Sequence, residues 1–215
     1  MDKVNCTQRL ISELCKKDCK RSFKCCALSF WGILALAITY SAIAIFGFIG
    51  ARADLTTKLS TPSFIIELAL VFAVIVTSLS LSKLYITPQE TIKPIHKGLS
   101  LTFFAMVSIL SLSTMETSHL VWAENLNNIH CVAHIALFAL PATIATLWLA
   151  KKQAPTFPNW LAAHIVLAYT ALGYFAVRLV CTQENVPHHA CTHILPVIVY
   201  AALGYLIGRK VLNWS

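Results

Sequence analysis

Two stretches of the chain put thiols beside imidazoles. Residues 181–193 read Cys-Thr-Gln-Glu-Asn-Val-Pro-His-His-Ala-Cys-Thr-His, contain no Lys or Arg, and carry Cys181, Cys191, His188, His189 and His193. Residues 119–134 also lack Lys and Arg; they begin with His119 and end in Ile129-His130-Cys131-Val132-Ala133-His134, where an apolar run starts. Thiolates and imidazoles together suit soft and transition metal ions. Two thiols can instead close a disulfide when their Cα atoms come within about 7 Å. Three readings therefore stand side by side: a stress- or metal-responsive pair at Cys131 and Cys181, a structural disulfide with surface histidines, or two unrelated thiols. Cys191, His134, His188, His189 and His193 are the auxiliary candidates for holding a transient soft or transition metal ion.

Something must bring these residues together, and the composition says what. Of the 215 residues 57% are hydrophobic and only 12% charged, against about a quarter charged in a soluble domain. A helix needs about 20 apolar residues to cross a bilayer. Six such runs can be marked, at about 28–49, 63–85, 99–115, 131–150, 160–180 and 192–212. The expected fold is all-α, a polytopic membrane protein with six transmembrane helices. Residues 1–27 would form a cytoplasmic N-terminal segment and residues 28–215 the membrane domain. The first run is too long, and too far from the start, for the apolar core of a cleaved signal peptide.

Positive charge orients the bundle. Lys3, Arg9, Lys16, Lys17, Lys20, Arg21, Lys24, Lys83, Lys93, Lys97, Lys151, Lys152, Arg209 and Lys210 are 14 of the 17 Lys and Arg, and all fall in the N-terminal segment, the even-numbered loops or the C-terminal end. This predicts both termini in the cytoplasm and both Cys/His stretches outside. The net charge of +8 is thus accounted for by topology and by lipid headgroups, without direct nucleic-acid binding.

In residues 1–27, Leu10, Ile11 and Leu14 share one helical face. The segment is either a docking helix for a soluble partner or a basic amphipathic helix lying on anionic lipid. Its cysteines, Cys6, Cys15, Cys19, Cys25 and Cys26, have no neighbouring His and make a poor zinc pattern. Arg52 and Asp54 read as an interfacial ion pair in the first outer loop. Glu67, early in the second run, is expected to reach Arg52 or Lys58 rather than face lipid. Ser108, Ser111 and Ser113 suit close helix packing, while Pro141 and Pro196 interrupt two spans. No Cys-x-x-Cys, His-Glu-x-x-His, Gly-x-Ser-x-Gly or phosphate-loop motif occurs, which disfavours an enzyme. A thiol-redox or metal-handling membrane enzyme and a small transporter remain the alternatives.

Several pieces in order carry a family resemblance. They are Leu10-Ile11-x-x-Leu14, the loop Gly50-Ala51-Arg52-Ala53-Asp54-Leu55 with Pro62 and Phe64 after it, and Cys131 followed by Leu140-Pro141-Ala142. They continue with residues 181–187, Cys-Thr-Gln-Glu-Asn-Val-Pro, and Gly204-x-x-x-Gly208-Arg209-x-x-Leu212-x-Trp214. The chain thereby resembles the NrsF-type anti-sigma factors, six-helix bacterial inner-membrane proteins that restrain an extracytoplasmic-function (ECF) sigma factor. The resemblance implies that the N-terminal segment holds a sigma factor in the cytoplasm and that Cys131 and Cys181 take part in sensing a periplasmic signal. Cys191, the histidines of the last loop and the cysteine-rich N-terminus depart from the pattern.

Overall fold

The protein is known as a computed structural model describing residues 30–86, 93–114, 129–153 and 155–212. Leu10, Ile11 and Leu14, the N-terminal cysteines and His119 lie outside the described residues. The described residues form seven helices: α1 (Phe30–Ile49), α2 (Leu55–Leu59), α3 (Pro62–Ile86), α4 (Pro94–Ser113), α5 (Ile129–Lys151), α6 (Pro158–Arg178) and α7 (Val186–Leu212). All except α2 are long and apolar enough to cross a membrane. Their perimeter agrees with lipid as the solvent, since Leu36, Phe46, Ile109, Ile144 and Leu206 are each more than 60% exposed.

Local chemistry sets the helix ends. Pro62, Pro94 and Pro158 stand at the first turns of α3, α4 and α6, where a missing N–H costs nothing. Gly50 closes α1 at φ 91°, a conformation that suits glycine, and its N–H bonds to the Ile45 carbonyl at 2.8 Å. The largest departure from the sequence expectation is α7, which begins at Val186 rather than near 192. The Asn185 side chain caps it by accepting the His188 N–H at 2.9 Å, with Pro187 in the first turn. His188 and His189 are therefore helical and buried, not residues of a surface loop.

Helix α6 is the axis of the bundle. It packs against α3, α5 and α7, and α4 packs on α3. Helix α1 adds Phe30, Leu34 and Ala37 to the core, with Trp31 beneath the Lys83 ammonium and Tyr40 edge-on to Phe138. Lipid is as apolar as a leucine core, so close backbone approach and interhelical hydrogen bonds must supply the association. Both are present. A Cβ on Gly173 would stand 2.6 Å from the Ile135 carbonyl oxygen, and one on Gly208 would stand 2.7 Å from the Pro158 carbonyl oxygen. Thr146 donates to Tyr169 across α5 and α6 at 2.9 Å.

At the lysine-bearing end, His164 of α6 is held by Tyr85 of α3 at 3.1 Å and Ser100 of α4 at 3.0 Å. Because the Tyr85 hydroxyl also donates to the His96 carbonyl at 3.2 Å, the Nε2–H of His164 donates to Tyr85 and its Nδ1 accepts from Ser100. The latch joins three helices without a formal charge.

The glycine contacts make a direct prediction. Gly208→Ala should lower stability by about 1–3 kcal/mol, the usual cost of overpacking, because the new methyl would meet α6 backbone that cannot rotate away. Gly98→Ala, with nothing within 4 Å of its added Cβ, is the control. Thermal denaturation in detergent that ranks both alike would contradict the packing argument.

Candidate functional site

At the end of the bundle opposite the His164 latch, four ligand-bearing side chains meet. Cys131 comes from the first turn of α5, Cys181 from the connection after α6, and His188 and His193 from the start of α7. Their Sγ and ring-nitrogen atoms all lie within 4.8 Å of one another. The Cys131–Cys181 sulfurs are 3.8 Å apart, and His188 Nε2 lies 3.6 Å from Cys131 and 3.4 Å from Cys181. Both thiols are free. Cys131 donates to Cys181, and that hydrogen bond is the main force holding the Cys181 thiol well below the ordinary thiol range; burial opposes it and His188 assists. The sulfur that would serve as ligand or nucleophile is thus biased toward thiolate.

These spacings have a chemical meaning. Tetrahedral coordination at about 2.3 Å to sulfur and about 2.0–2.1 Å to nitrogen puts ligands roughly 3.8 Å apart for two sulfurs and roughly 3.6 Å for sulfur and nitrogen. The three edges among Cys131, Cys181 and His188 fall close to those values. His193 is fully buried, and neither of its ring nitrogens is seated in a hydrogen bond, a costly arrangement for a polar side chain without a ligand. The donor set, two thiols and two imidazoles, suits a soft or borderline tetrahedral ion. A disulfide would need the sulfurs to close to about 2.05 Å.

Behind the cluster lies a second constellation. Arg178 of α6 grips Glu67 of α3 with two parallel bonds, Nε to Oε1 at 2.8 Å and Nη2 to Oε2 at 2.9 Å. The expectation that Glu67 would reach Arg52 or Lys58 is corrected here. Arg178 is buried at the same depth and presents its fork directly, the bidentate geometry that favours Arg over Lys. Tyr174 donates to Glu67 Oε1 at 2.6 Å, and Ser111 of α4 reaches the same oxygen at 3.3 Å. Both hydroxyl oxygens then face Nε2 of His189, at 2.8 Å from Tyr174 and 2.7 Å from Ser111. With both hydroxyl protons committed to the carboxylate, His189 must donate from Nε2.

The connections α1–α2 and α6–α7 form a third, more exposed group. Arg52 makes two bonds to Asp54, at 2.6 and 2.8 Å, and reaches Glu184 at 3.0 Å; Lys58 pairs with the other Glu184 oxygen. The Arg52 N–H bonds to the Leu179 carbonyl at 3.0 Å, tying the first connection to the end of α6. Asp54 is held below the ordinary carboxylate range mainly by the Arg52 hydrogen bond. Burial pushes Glu184 up, but Lys58 and Arg52 together outweigh it and hold it low. A polar cavity of about 520 Å³ opens here, lined by Arg52, Asp54, Lys58 and Glu184 among others. A smaller one of about 110 Å³ reaches Glu67 and Arg178.

Of the residues singled out in the sequence, the structure gathers Cys131, Cys181, His188 and His193. It turns His189 away, toward Tyr174 and Ser111. Cys191 is half-buried and stands outside the four-residue group. His134 packs near the Phe138 ring at 6.4 Å, also outside it. Arg178, Tyr174 and His164 were not singled out as site residues. The signal for Arg178 was available, since a charge inside a spanning segment asks for a named partner; Tyr174 carries no such mark.

The model of the family described as NrsF, negative regulator of sigma F, matches residues 24–214. Over 192 residues the chain is 26% identical to the probable anti-sigma-F factor NrsF of Azospira oryzae, an alignment spanning 84% of this chain and 88% of that protein. No solved structure matches.

Proposed function

Since the chain belongs to the NrsF family of negative regulators of sigma F, we propose that it is a non-enzymatic, membrane-embedded anti-sigma factor whose partner is an ECF-type sigma factor. Residues 1–27 hold that partner on the cytoplasmic side through Leu10, Ile11 and Leu14. The positive-inside distribution supports this orientation: Lys83, Lys93, Lys97, Lys151, Lys152, Arg209 and Lys210 gather at the end away from the cysteines. Cys131 and Cys181 then face the periplasm of a bacterial inner membrane and receive the signal.

The observation that carries the reading is the convergence of Cys131, Cys181, His188 and His193 within 4.8 Å. The three edges among Cys131, Cys181 and His188 favour capture of a soft metal ion. Oxidation to a Cys131–Cys181 disulfide by a two-electron oxidant, with loss of both thiol protons, is the second form the signal can take. Metal capture draws α5, the α6–α7 connection and the start of α7 together, whereas the disulfide draws only α5 and the connection together. A tenfold loss of sigma affinity requires only about 1.4 kcal/mol of coupling.

The test is retention of the partner by the full chain. Purified from native membranes, the wild-type protein should bring a sigma factor with it. Leu10→Glu combined with Leu14→Glu should insert normally and bring none. Equal recovery from both would remove the N-terminal face from the reading.

A further inference from the structure

His188 and His189 are consecutive, yet they serve different neighbours. His188 faces Cys131 and Cys181, at 3.6 and 3.4 Å. His189 faces Ser111 of α4 and Tyr174 of α6, at 2.7 and 2.8 Å, and both of those hydroxyls bond to Glu67 of α3. We propose that His189 is the coupling residue of this protein: it passes a displacement at the Cys/His cluster, through Tyr174, Ser111 and the Glu67–Arg178 pair, to α3 and α4. The inference rests on the reading that the cluster receives the signal, and it adds the route by which that signal leaves.

Three features give the route its direction. Val186–His189 is a single helical turn opened by the Asn185 cap, so a movement of His188 toward an ion carries His189 with it. The next five residues, Ala190–Ile194, are π-helical, with Pro196 just beyond. That wide turn, and the N–H that Pro196 lacks, uncouple the first turn of α7 from the remaining length of the helix. His193 ties the cluster to this wide turn as well, so motion passes sideways into α3, α4 and α6 and reaches little of α7 beyond Pro196. Lastly, the receiving group is buried, and the Tyr174 and Ser111 oxygens that face His189 Nε2 are the same hydroxyls that donate to Glu67, so a shifted His189 takes away the donor to those oxygens and the helices must adjust. Helices α3 and α4 lead to the far end of the bundle, where Tyr85 and Ser100 meet at His164.

His189, Tyr174 and Ser111 are positioning residues here, because none of them belongs to the four-residue cluster. The experiment uses the full-length protein in detergent with Cd²⁺ as the probe. Hydrogen exchange is followed at residues 81–86 of α3 and 94–100 of α4, and Cd²⁺ affinity is measured separately. In the wild type, Cd²⁺ should change exchange in those segments by at least threefold. Tyr174→Phe, which removes one hydroxyl and keeps the ring, should bind Cd²⁺ within about threefold of wild type and show no such change. His189→Gln, which keeps a donor, should retain part of the response, whereas His189→Phe should lose it. A full wild-type response in both Tyr174→Phe and His189→Phe would overturn the coupling and leave the sensing reading intact. Failure of the wild type to bind Cd²⁺ would remove metal capture from the sensing reading and overturn the coupling with it.

Discussion

Arg178→Met should destabilise the protein by about 3–5 kcal/mol, the cost of leaving a buried charge without its partner. Glu67 is 2% exposed and holds Arg178 through two bonds at 2.8 and 2.9 Å. Removing the guanidinium leaves its carboxylate facing only Tyr174 and Ser111. Glu67→Gln should cost a comparable amount, because it leaves the buried Arg178 guanidinium without its counter-charge even though the amide oxygen still accepts from Tyr174. The double variant Glu67→Gln with Arg178→Met should recover much of the loss, since the isolated charge is then gone. Reversible unfolding in mixed detergent checks this as a double-mutant cycle. Additive losses in the double variant would mean that the pair is hydrated well enough to behave as a surface salt bridge, the small polar cavity beside it being the route for water.

Cys131→Ser and Cys181→Ser should each weaken Cd²⁺ binding by roughly 100-fold and abolish metal-induced, sigma-dependent transcription. The magnitude follows from structural sites, where four ligands share about 10–16 kcal/mol, so one ligand accounts for about 3 kcal/mol. His193→Ala separates the two forms of the signal. It removes an imidazole from the ion's shell and should weaken Cd²⁺ binding by a similar factor, yet leaves both thiols free to couple under an oxidant. Induction by oxidant but not by metal is the expected outcome for His193→Ala. Unchanged metal induction in either cysteine variant would take the pair out of the mechanism.

The cysteines were legible in the sequence because their type and position are enough: two thiols at the ends of successive apolar runs, in two stretches that hold no Lys or Arg, have few other places to go. The choice among the histidines was not. His188 and His189 differ by about 100° around a helix, and that difference has meaning only once residues 186–189 are known to be helical. Asn185 and Pro187 carry the start signal, but a short polar stretch between two apolar runs fits a loop equally well. The Glu67 partner was equally hidden. Arg52, Lys58 and Arg178 all stand near the same depth, and only the packing of α3 on α6 decides which of them faces the carboxylate.

Composition, apolar run lengths and charge distribution by themselves determined the six long helices, their alternation and the end at which thiols and imidazoles gather, because lipid forces every span to satisfy its own backbone. The tertiary structure alone decided which donors converge, which histidine turns inward and which arginine holds Glu67. Those outcomes depend on rotation about each helix axis, which close contacts such as Gly173 on Ile135 and Gly208 on Pro158 set and which an almost uniformly apolar sequence leaves unmarked.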